Sequence, residues 1–145
     1  MKAKPCLLLI GLFALLAACG GQSDSSSTGE TAGQKITVDS GSYMDVSVSE
    51  LQSMLTDKNF VFVNVHIPFE GDLPETDLSI PFDEIAQNLA QLPAEKDAQI
   101  VLYCRSGNMS TEAARTLVAL GYTNVWNLAG GFNAWKAAGL PMAGE

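Results

Sequence analysis

The sequence predicts an α/β fold in which helices cover both faces of a mostly parallel sheet. Residues 60–65 and 99–103 are short apolar runs with the length and β-branched content of buried parallel strands. Residues 111–120 carry apolar side chains at helical spacing. Strands that alternate with helices indicate a parallel sheet with helices packed on it. A chain of 145 residues is long enough for one such domain.

The first elements follow from local signals. Residues 43–46 predict a short first strand. Ser47 and Glu50 have the spacing of a capping box, which opens a helix that runs to about Leu55. The next strand, at residues 60–65, is nearly all apolar, which indicates a central position in the sheet.

The second half continues the alternation. Residues 65–79 are a long loop, after which Asp83 is a candidate N-cap for a helix through Leu92. Residues 124–128 predict a last strand and residues 131–138 a last helix. All of the later strands thus lead into helices or turns at one edge of the sheet.

Cys104 stands where the strand predicted at residues 99–103 ends, and open α/β sheets bind ligands at that edge. A tight loop, residues 105–109, leads into the next helix, which Gly121 ends as a C′ residue. Such a loop directs backbone amides and the positive end of the helix at the sulfur. We therefore expect a reactive thiolate at Cys104 and a small anion pocket around it.

Two motifs together resemble the active-site loop and the C-terminal signature of single-domain rhodanese-like proteins, over roughly residues 40–141. The signature is Leu-Ala-Gly-Gly-Phe-Asn-Ala-Trp at residues 128–135, and the loop comprises Cys104, Arg105, Ser106, Gly107, Asn108, Met109 and Ser110. The resemblance implies the three-layer rhodanese-like fold. It also implies a sulfurtransferase without a cofactor, whose cysteine takes a sulfane sulfur from a small donor as a persulfide and passes it to a thiophilic acceptor such as a thiol or cyanide.

The resemblance gives each loop residue a substrate-binding role beside a simpler structural one. Arg105 either holds an anionic donor or forms a structural ion pair. Ser106 hydrogen-bonds the sulfur or satisfies the local backbone. Gly107 permits the backbone conformation that brings amides to the sulfur. Asn108 is otherwise a turn residue, and Ser110 is otherwise the N-cap of the following helix.

Met109 departs from the family pattern, because many loops of this form carry arginine at that position. A methionine cannot bind an anion by charge, so Arg105 and the backbone amides remain as the anion-binding groups. Thiosulfate is therefore a less suitable donor, and a larger or less charged persulfide or polysulfide becomes more plausible.

Asn64, Val65 and His66 form a second departure, since the family often has Asp-Val-Arg there and both charges of that pair are absent. His66 is the single histidine of the chain, and we expect it on the same side of the sheet as Cys104. It either contacts substrate or is a loop histidine hydrogen-bonded for structure, and the structural role is the more conservative interpretation. The acidic residues that follow lack the regular spacing of a metal site and are interpreted as a solvated loop: Glu70, Asp72, Glu75 and Asp77.

The amino-terminal residues predict a targeting segment. Lys2 and Lys4 precede an apolar run, and residues 16–19, Leu-Ala-Ala-Cys, resemble a bacterial lipobox. The run from residue 6 to residue 19 has 14 residues, fewer than the roughly 20 that a spanning helix needs.

These features predict three segments. Residues 1–18 are a lipoprotein signal peptide, residues 19–39 a lipidated Cys19 with a flexible Ser/Gly/Thr-rich tether, and residues 40–145 the rhodanese-like domain. Acyl chains on Cys19 would hold the protein at a membrane of the bacterial cell envelope, facing the periplasm or the exterior. An ordinary secretory signal cut near Ala18 is the alternative.

Charge and cysteine content limit the partners. From Cys19 onward there are 6 Lys and Arg residues against 16 Asp and Glu, a formal charge of −10, which argues against nucleic acid. Cys104 would be the remaining thiol of the mature domain, so we expect no disulfide within it. As a separate expectation, we take the protein to be a monomer.

Two other functions stay open. A non-catalytic rhodanese-like module that binds a partner or a small anion is compatible with Met109 and with the missing charges near His66. A cysteine phosphatase or arsenate reductase needs a longer Cys-x5-Arg loop, and here the sixth residue after Cys104 is Ser110.

Overall fold

A six-stranded sheet organises residues 33–144, the part of the chain that the computed structural model describes. The strands are β1 (Gln34–Val38), β2 (Gly41–Val46), β3 (Val61–Asn64), β4 (Leu78–Ser79), β5 (Ile100–Tyr103) and β6 (Val125–Leu128). Their order is β1-β2-β6-β5-β3-β4, and every pair is parallel except the antiparallel β1 and β2. The predicted mostly parallel sheet is confirmed.

Helices cover both faces, as predicted. The helices are α1 (Val48–Thr56), α2 (Asn108–Ala119) and α3 (Gly131–Ala137). Along β5, Leu102 packs on the face that α2 covers, and Val101 packs on the face that α1 and α3 cover. This alternation is the period-two pattern of a strand buried on both sides, which explains why its sequence is apolar throughout.

The helix signals at Ser47 and Gly121 are confirmed. The Ser47 side chain accepts a hydrogen bond from the Glu50 amide, and the Glu50 carboxylate accepts from the Ser47 amide at 2.7 Å. The Glu50 carboxylate accepts hydrogen bonds from the Ser47 amide, the Gly33 amide and the Ser47 hydroxyl, and these three bonds hold the pKa of Glu50 below its usual value. At the end of α2, Gly121 has φ of +91°, and the Tyr122 amide donates to the Leu117 carbonyl at 3.1 Å, as in a Schellman motif.

The domain begins earlier than predicted. Strand β1 lies in the span that we assigned to the tether, and its five residues pair with β2 through the turn at Asp39 and Ser40. The partly buried Ile36 and Val38 pack against the core on the α2 side. The boundary at residue 40 is therefore wrong. The polar residues before it led us to assign this strand to the tether, although Ile36 and Val38 alternate with polar residues as in a half-buried strand.

The helix predicted after Asp83 is also wrong in kind. Two 3-10 helices, Phe82–Gln87 and Leu89–Gln91, occupy that stretch. Pro81 stands at the N-cap position and Asp83 makes no capping bond. These two helices bury a single side chain, Ile85, and a helix that buries so small an apolar face gains little from packing.

Two backbone contacts fix α3 against the loop that follows β5. The Phe132 amide donates to the Cys104 carbonyl at 3.0 Å, and the Asn133 amide donates to the Arg105 carbonyl at 3.0 Å. Gly131, at the start of α3, has φ of +56°, and a Cβ atom there would overlap the Cys104 carbonyl oxygen and lie 2.8 Å from the Arg105 carbonyl carbon. The close approach of the two segments therefore requires glycine.

The requirement predicts the effect of a methyl group. Gly131→Ala should lower the free energy of unfolding by about 1–3 kcal/mol more than Gly139→Ala does, because overpacking adds to backbone strain. Gly139 is the matched control, since its φ is +76° but no atom lies within 4 Å of the added Cβ. Urea denaturation of both variants measures the difference. Equal losses would show that the approach of α3 imposes no steric constraint.

Candidate active site

Cys104 follows β5 directly and is almost fully buried, with 1% of its surface exposed. Its Sγ atom accepts a hydrogen bond from the Gly107 amide at 3.1 Å. The Ser110 hydroxyl lies 3.5 Å from the same sulfur and is oriented to donate to it. Two donors therefore converge on Sγ from one side, an arrangement that stabilises negative charge on a thiolate or on a persulfide.

Gly107 produces this geometry through its backbone. It occupies the N-cap position of α2 in the left-handed region, with φ of +99°. A Cβ atom at this residue would come no closer than 3.4 Å to Gly130, an ordinary contact, so the conformation rather than the space requires glycine. The left-handed turn directs the amide back toward Sγ. The prediction that loop amides face the sulfur is confirmed for this amide.

Ser110 is not the N-cap that its structural interpretation made it. Helix α2 starts at Asn108, three residues before the predicted start, and Ser110 is the third residue of its first turn. Its fully buried hydroxyl donates to the Gly107 carbonyl at 3.1 Å or to Sγ. A hydroxyl has one proton, so these two bonds compete, and negative charge on the sulfur draws the proton toward it.

The side chains of Ser106, Asn108 and Met109 form no hydrogen bond to Cys104 Sγ within the described residues. Ser106 and Asn108 are exposed, and no side-chain hydrogen bond of either is formed within residues 33–144. Met109 is half-buried and packs against the core on the α2 side. Its side chain thus serves packing, which fits an apolar residue at this position. The substrate-binding roles of Ser106, Asn108 and Met109 stay predictions.

Arg105, His66 and Glu70 meet in a cluster beside Cys104. An Nη1 donor of Arg105 binds Glu70 Oε1 at 3.0 Å, and His66 Nε2 lies 3.3 Å from the same oxygen. His66 and Arg105 hold the pKa of Glu70 below its usual value. The Arg105 side chain is 54% exposed, so the pair lies at the surface of the site.

His66 is buried, with its ring edge-on to Phe132 at 5.5 Å between centroids. Neither ring nitrogen has hydrogen-bond geometry to any residue of 33–144, so the Glu70 contact is a close approach without a well-directed bond. The structural interpretation of His66 expected its ring to be hydrogen-bonded, and that bond is not formed. The predicted position on the same side of the sheet as Cys104 agrees with the structure, because Phe132 donates its amide to the Cys104 carbonyl.

Asn64 stabilises the loop after β3, the structural role that the missing charged pair would have had. Its amide donates to the Gly71 carbonyl at 3.0 Å and to Asp72 Oδ1 at 2.9 Å, and its oxygen accepts from the His66 amide at 3.0 Å. These bonds fix the loop after β3. Tyr103 holds the far part of the same loop, since its hydroxyl accepts from the Leu73 amide at 2.9 Å.

The acidic loop is not simply solvated, as we had interpreted it. Glu70 binds Arg105, Asp72 binds Asn64, and Asp77 accepts from the Phe62 amide at 2.7 Å. Sequence reasoning missed Glu70 as a site residue because no periodicity relates it to Cys104 across an irregular loop. Only folding brings Glu70 into contact with Arg105, which is 35 residues away in the sequence.

Residues 33–144 contain no group of three or more His, Cys, Asp or Glu side chains that is arranged to hold a metal ion. Over the same range, no helix has the length and apolar character required to cross a bilayer. Cys19, residues 1–18 and most of the predicted tether lie outside the described residues.

Comparison with known proteins agrees with this geometry. The family model of the rhodanese-like domain matches residues 47–138. A sulfurtransferase of Allochromatium vinosum is 34% identical over 102 residues, which cover 68% of this chain and 92% of that protein.

Solved structures give the same result. A rhodanese-related protein of Thermoplasma volcanium has a TM-score of 0.59 at 26% identity, covering 70% of this chain and 98% of that one. The human single-domain sulfurtransferase has a TM-score of 0.55 at 27% identity, covering 64% and 95%. From its sequence, its fold and its relatives, the chain belongs to the rhodanese-like domain family.

Proposed function

We propose that the protein is a sulfurtransferase that carries sulfane sulfur as a persulfide on Cys104, and that lipid on Cys19 anchors it to a membrane of the cell envelope. The observation that carries the proposal is the pair of donors, the Gly107 amide and the Ser110 hydroxyl, that converge on Cys104 Sγ. The sulfurtransferase relative supports the same chemistry.

The reaction needs a donor of sulfane sulfur and a nucleophilic acceptor. The Cys104 thiolate attacks the sulfane sulfur of the donor, the donor's S–S bond breaks, and the leaving group departs with the bonding electrons. Thiosulfate releases sulfite, and an organic persulfide RSSH releases the thiolate RS⁻. An acceptor such as cyanide then attacks the outer sulfur, leaves as thiocyanate and restores the Cys104 thiolate, so no external oxidant or reductant enters.

Burial of Cys104 suits a carrier of this kind. With 1% of the residue exposed, the sulfur is screened from bulk water and from large oxidants. The Gly107 and Ser110 donors replace the hydration that the charged sulfur loses. A small donor or acceptor that enters the loop can still reach the terminal sulfur of a persulfide, which extends one bond beyond Sγ.

The membrane anchor rests on the sequence. The lipobox-like residues 16–19 end the apolar run, and a Ser/Gly/Thr-rich segment separates Cys19 from β1. Acyl chains on Cys19 would place the domain outside the cytoplasm, in the periplasm or at the exterior. The formal charge of the whole sequence, −8, favours solubility over binding to nucleic acid.

A non-catalytic binding module is the second candidate. The engagement of Arg105 by Glu70 favours it, because the cation next to Cys104 is already paired within the protein. The two candidates differ in whether Cys104 gains and loses a sulfur atom.

Persulfidation separates them. The purified full-length protein, incubated with thiosulfate, glutathione persulfide or polysulfide, should gain the mass of one sulfur atom, and cyanide should remove it as thiocyanate. Cys104→Ser should gain none, because the attacking thiolate is gone. Intact mass spectrometry and a thiocyanate assay measure both steps. Failure of every donor to load a folded wild-type protein would favour the binding module.

Ser110 should affect the reactivity of Cys104. Ser110→Ala removes the hydroxyl that can turn to a charged sulfur, and we expect about fivefold slower alkylation by iodoacetamide at neutral pH, within the usual strength of one hydrogen bond. Thr116→Ala is the control in the same helix, since its hydroxyl binds the Glu112 carbonyl at 3.0 Å. If both variants react at the wild-type rate, the hydroxyl does not stabilise the thiolate.

Cys19 should determine where the protein is found. Cys19→Ser removes the predicted lipid attachment site, so the protein should move from the membrane fraction to the soluble fraction or remain unprocessed, without acyl mass at its amino terminus. Cys6→Ser, within the predicted signal peptide, is the matched control and should leave a lipidated membrane protein. A wild-type protein without acyl mass would contradict the anchor and leave the sulfur chemistry unaffected.

A further inference from the structure

Glu70 places a carboxylate beside the Cys104 loop, where it forms an ion pair with Arg105. Glu70 Oε1 accepts from Arg105 at 3.0 Å and lies 3.3 Å from His66 Nε2. Lys136 Nζ lies 5.2 Å from the centre of the Phe132 ring, the ring that packs on His66. Arg105, the cation next to Cys104 in sequence, is therefore paired with Glu70.

We propose that Glu70 is a specificity-determining residue, which competes with anionic donors for Arg105 and thereby makes the site select organic persulfides over thiosulfate. This inference rests on the proposed sulfurtransferase function and names its substrate class. The selected class is RSSH, in which R carries no net negative charge. Glu70 acts through Arg105 and is a positioning residue rather than a catalytic one.

The competition follows from charge and geometry. A guanidinium binds a carboxylate or a sulfonate-like group with the same planar set of donors, so Arg105 cannot make its full set of bonds to thiosulfate while it holds Glu70. Thiosulfate carries two negative charges and must approach a carboxylate that is 36% exposed. Met109 supplies no replacement charge, because its side chain is uncharged, and it packs on the core.

A neutral or zwitterionic persulfide avoids that competition. Its reacting sulfur needs only the donors at Sγ, the Gly107 amide and the Ser110 hydroxyl, and these are independent of Glu70. The same loop can therefore accept sulfur from RSSH without displacing the ion pair.

Glu70→Gln tests the inference, because glutamine keeps the shape of the side chain but removes the charge, so that thiosulfate can displace it from Arg105. In the purified full-length protein, the second-order rate of Cys104 persulfidation by thiosulfate should rise about fivefold, the size expected for one exposed ion pair. The rate with cysteine persulfide should change less than twofold. The thiosulfate gain should shrink in high salt, which screens exposed charges.

Two further variants show whether the gain comes from Arg105. Glu75→Gln makes the same change in the same loop, at an exposed residue without a side-chain hydrogen bond in residues 33–144, and should leave both rates unchanged. Glu70→Gln combined with Arg105→Gln should lose the thiosulfate gain, because the freed guanidinium is then absent.

The outcomes distinguish this inference from the function on which it rests. Loading of wild-type protein by cysteine persulfide, with no rise in the thiosulfate rate in Glu70→Gln, would overturn the role of Glu70 and keep the sulfurtransferase. An equal fall with both donors would mean that Glu70 is structural, which also overturns the inference. If neither donor loads the wild-type protein, the proposed function fails and this inference fails with it.

Discussion

The approach of α3 to the loop after β5 is the constraint on which the site depends. Gly131 lies so close to the Cys104 carbonyl that no side chain fits, and the amides of Phe132 and Asn133 bind the carbonyls of Cys104 and Arg105. These bonds fix the backbone on one side of Cys104. The left-handed turn at Gly107 fixes it on the other side and directs an amide at the sulfur. A rigid backbone on both sides allows donors to be set in place before charge develops.

Local chemistry explains which parts of the fold the sequence predicts. The capping box at Ser47, the C′ glycine at Gly121 and the apolar run of β5 are signals within a few residues, and the structure confirms each. Strand β1 does carry a local signal, since Ile36 and Val38 alternate with polar residues, but its Ser/Gly/Thr-rich neighbours led to its assignment as tether. The stretch after Pro81 gave a false helix signal, since a capping residue does not supply the apolar face that a long helix needs.

The same division holds at the site. Cys104 and Gly107 were identified from residues adjacent in sequence, and their geometry agrees with that reasoning. Glu70 is 35 residues from Arg105, and only the parallel pairing of β3 with β5 brings their loops to one edge. Asn64 was noted as the loss of a charged pair, yet its side-chain amide makes three hydrogen bonds, one of them to the Asp72 carboxylate, that hold the loop after β3. A substitution that removes a charge can thus preserve the structural role through hydrogen bonds.

The net charge of the protein and the local donors at Cys104 together determine how an acidic protein could bind an anionic sulfur. The whole chain has a formal charge of −8, so its long-range field repels anions. A backbone amide and a hydroxyl act only at contact, and salt screens such bonds far less than it screens distant charges. The site therefore holds a charged sulfur without a strongly positive surface. In the sulfurtransferase that we propose, Arg105 is paired with Glu70, so discrimination among donors would depend on the groups that each donor carries beside its reacting sulfur.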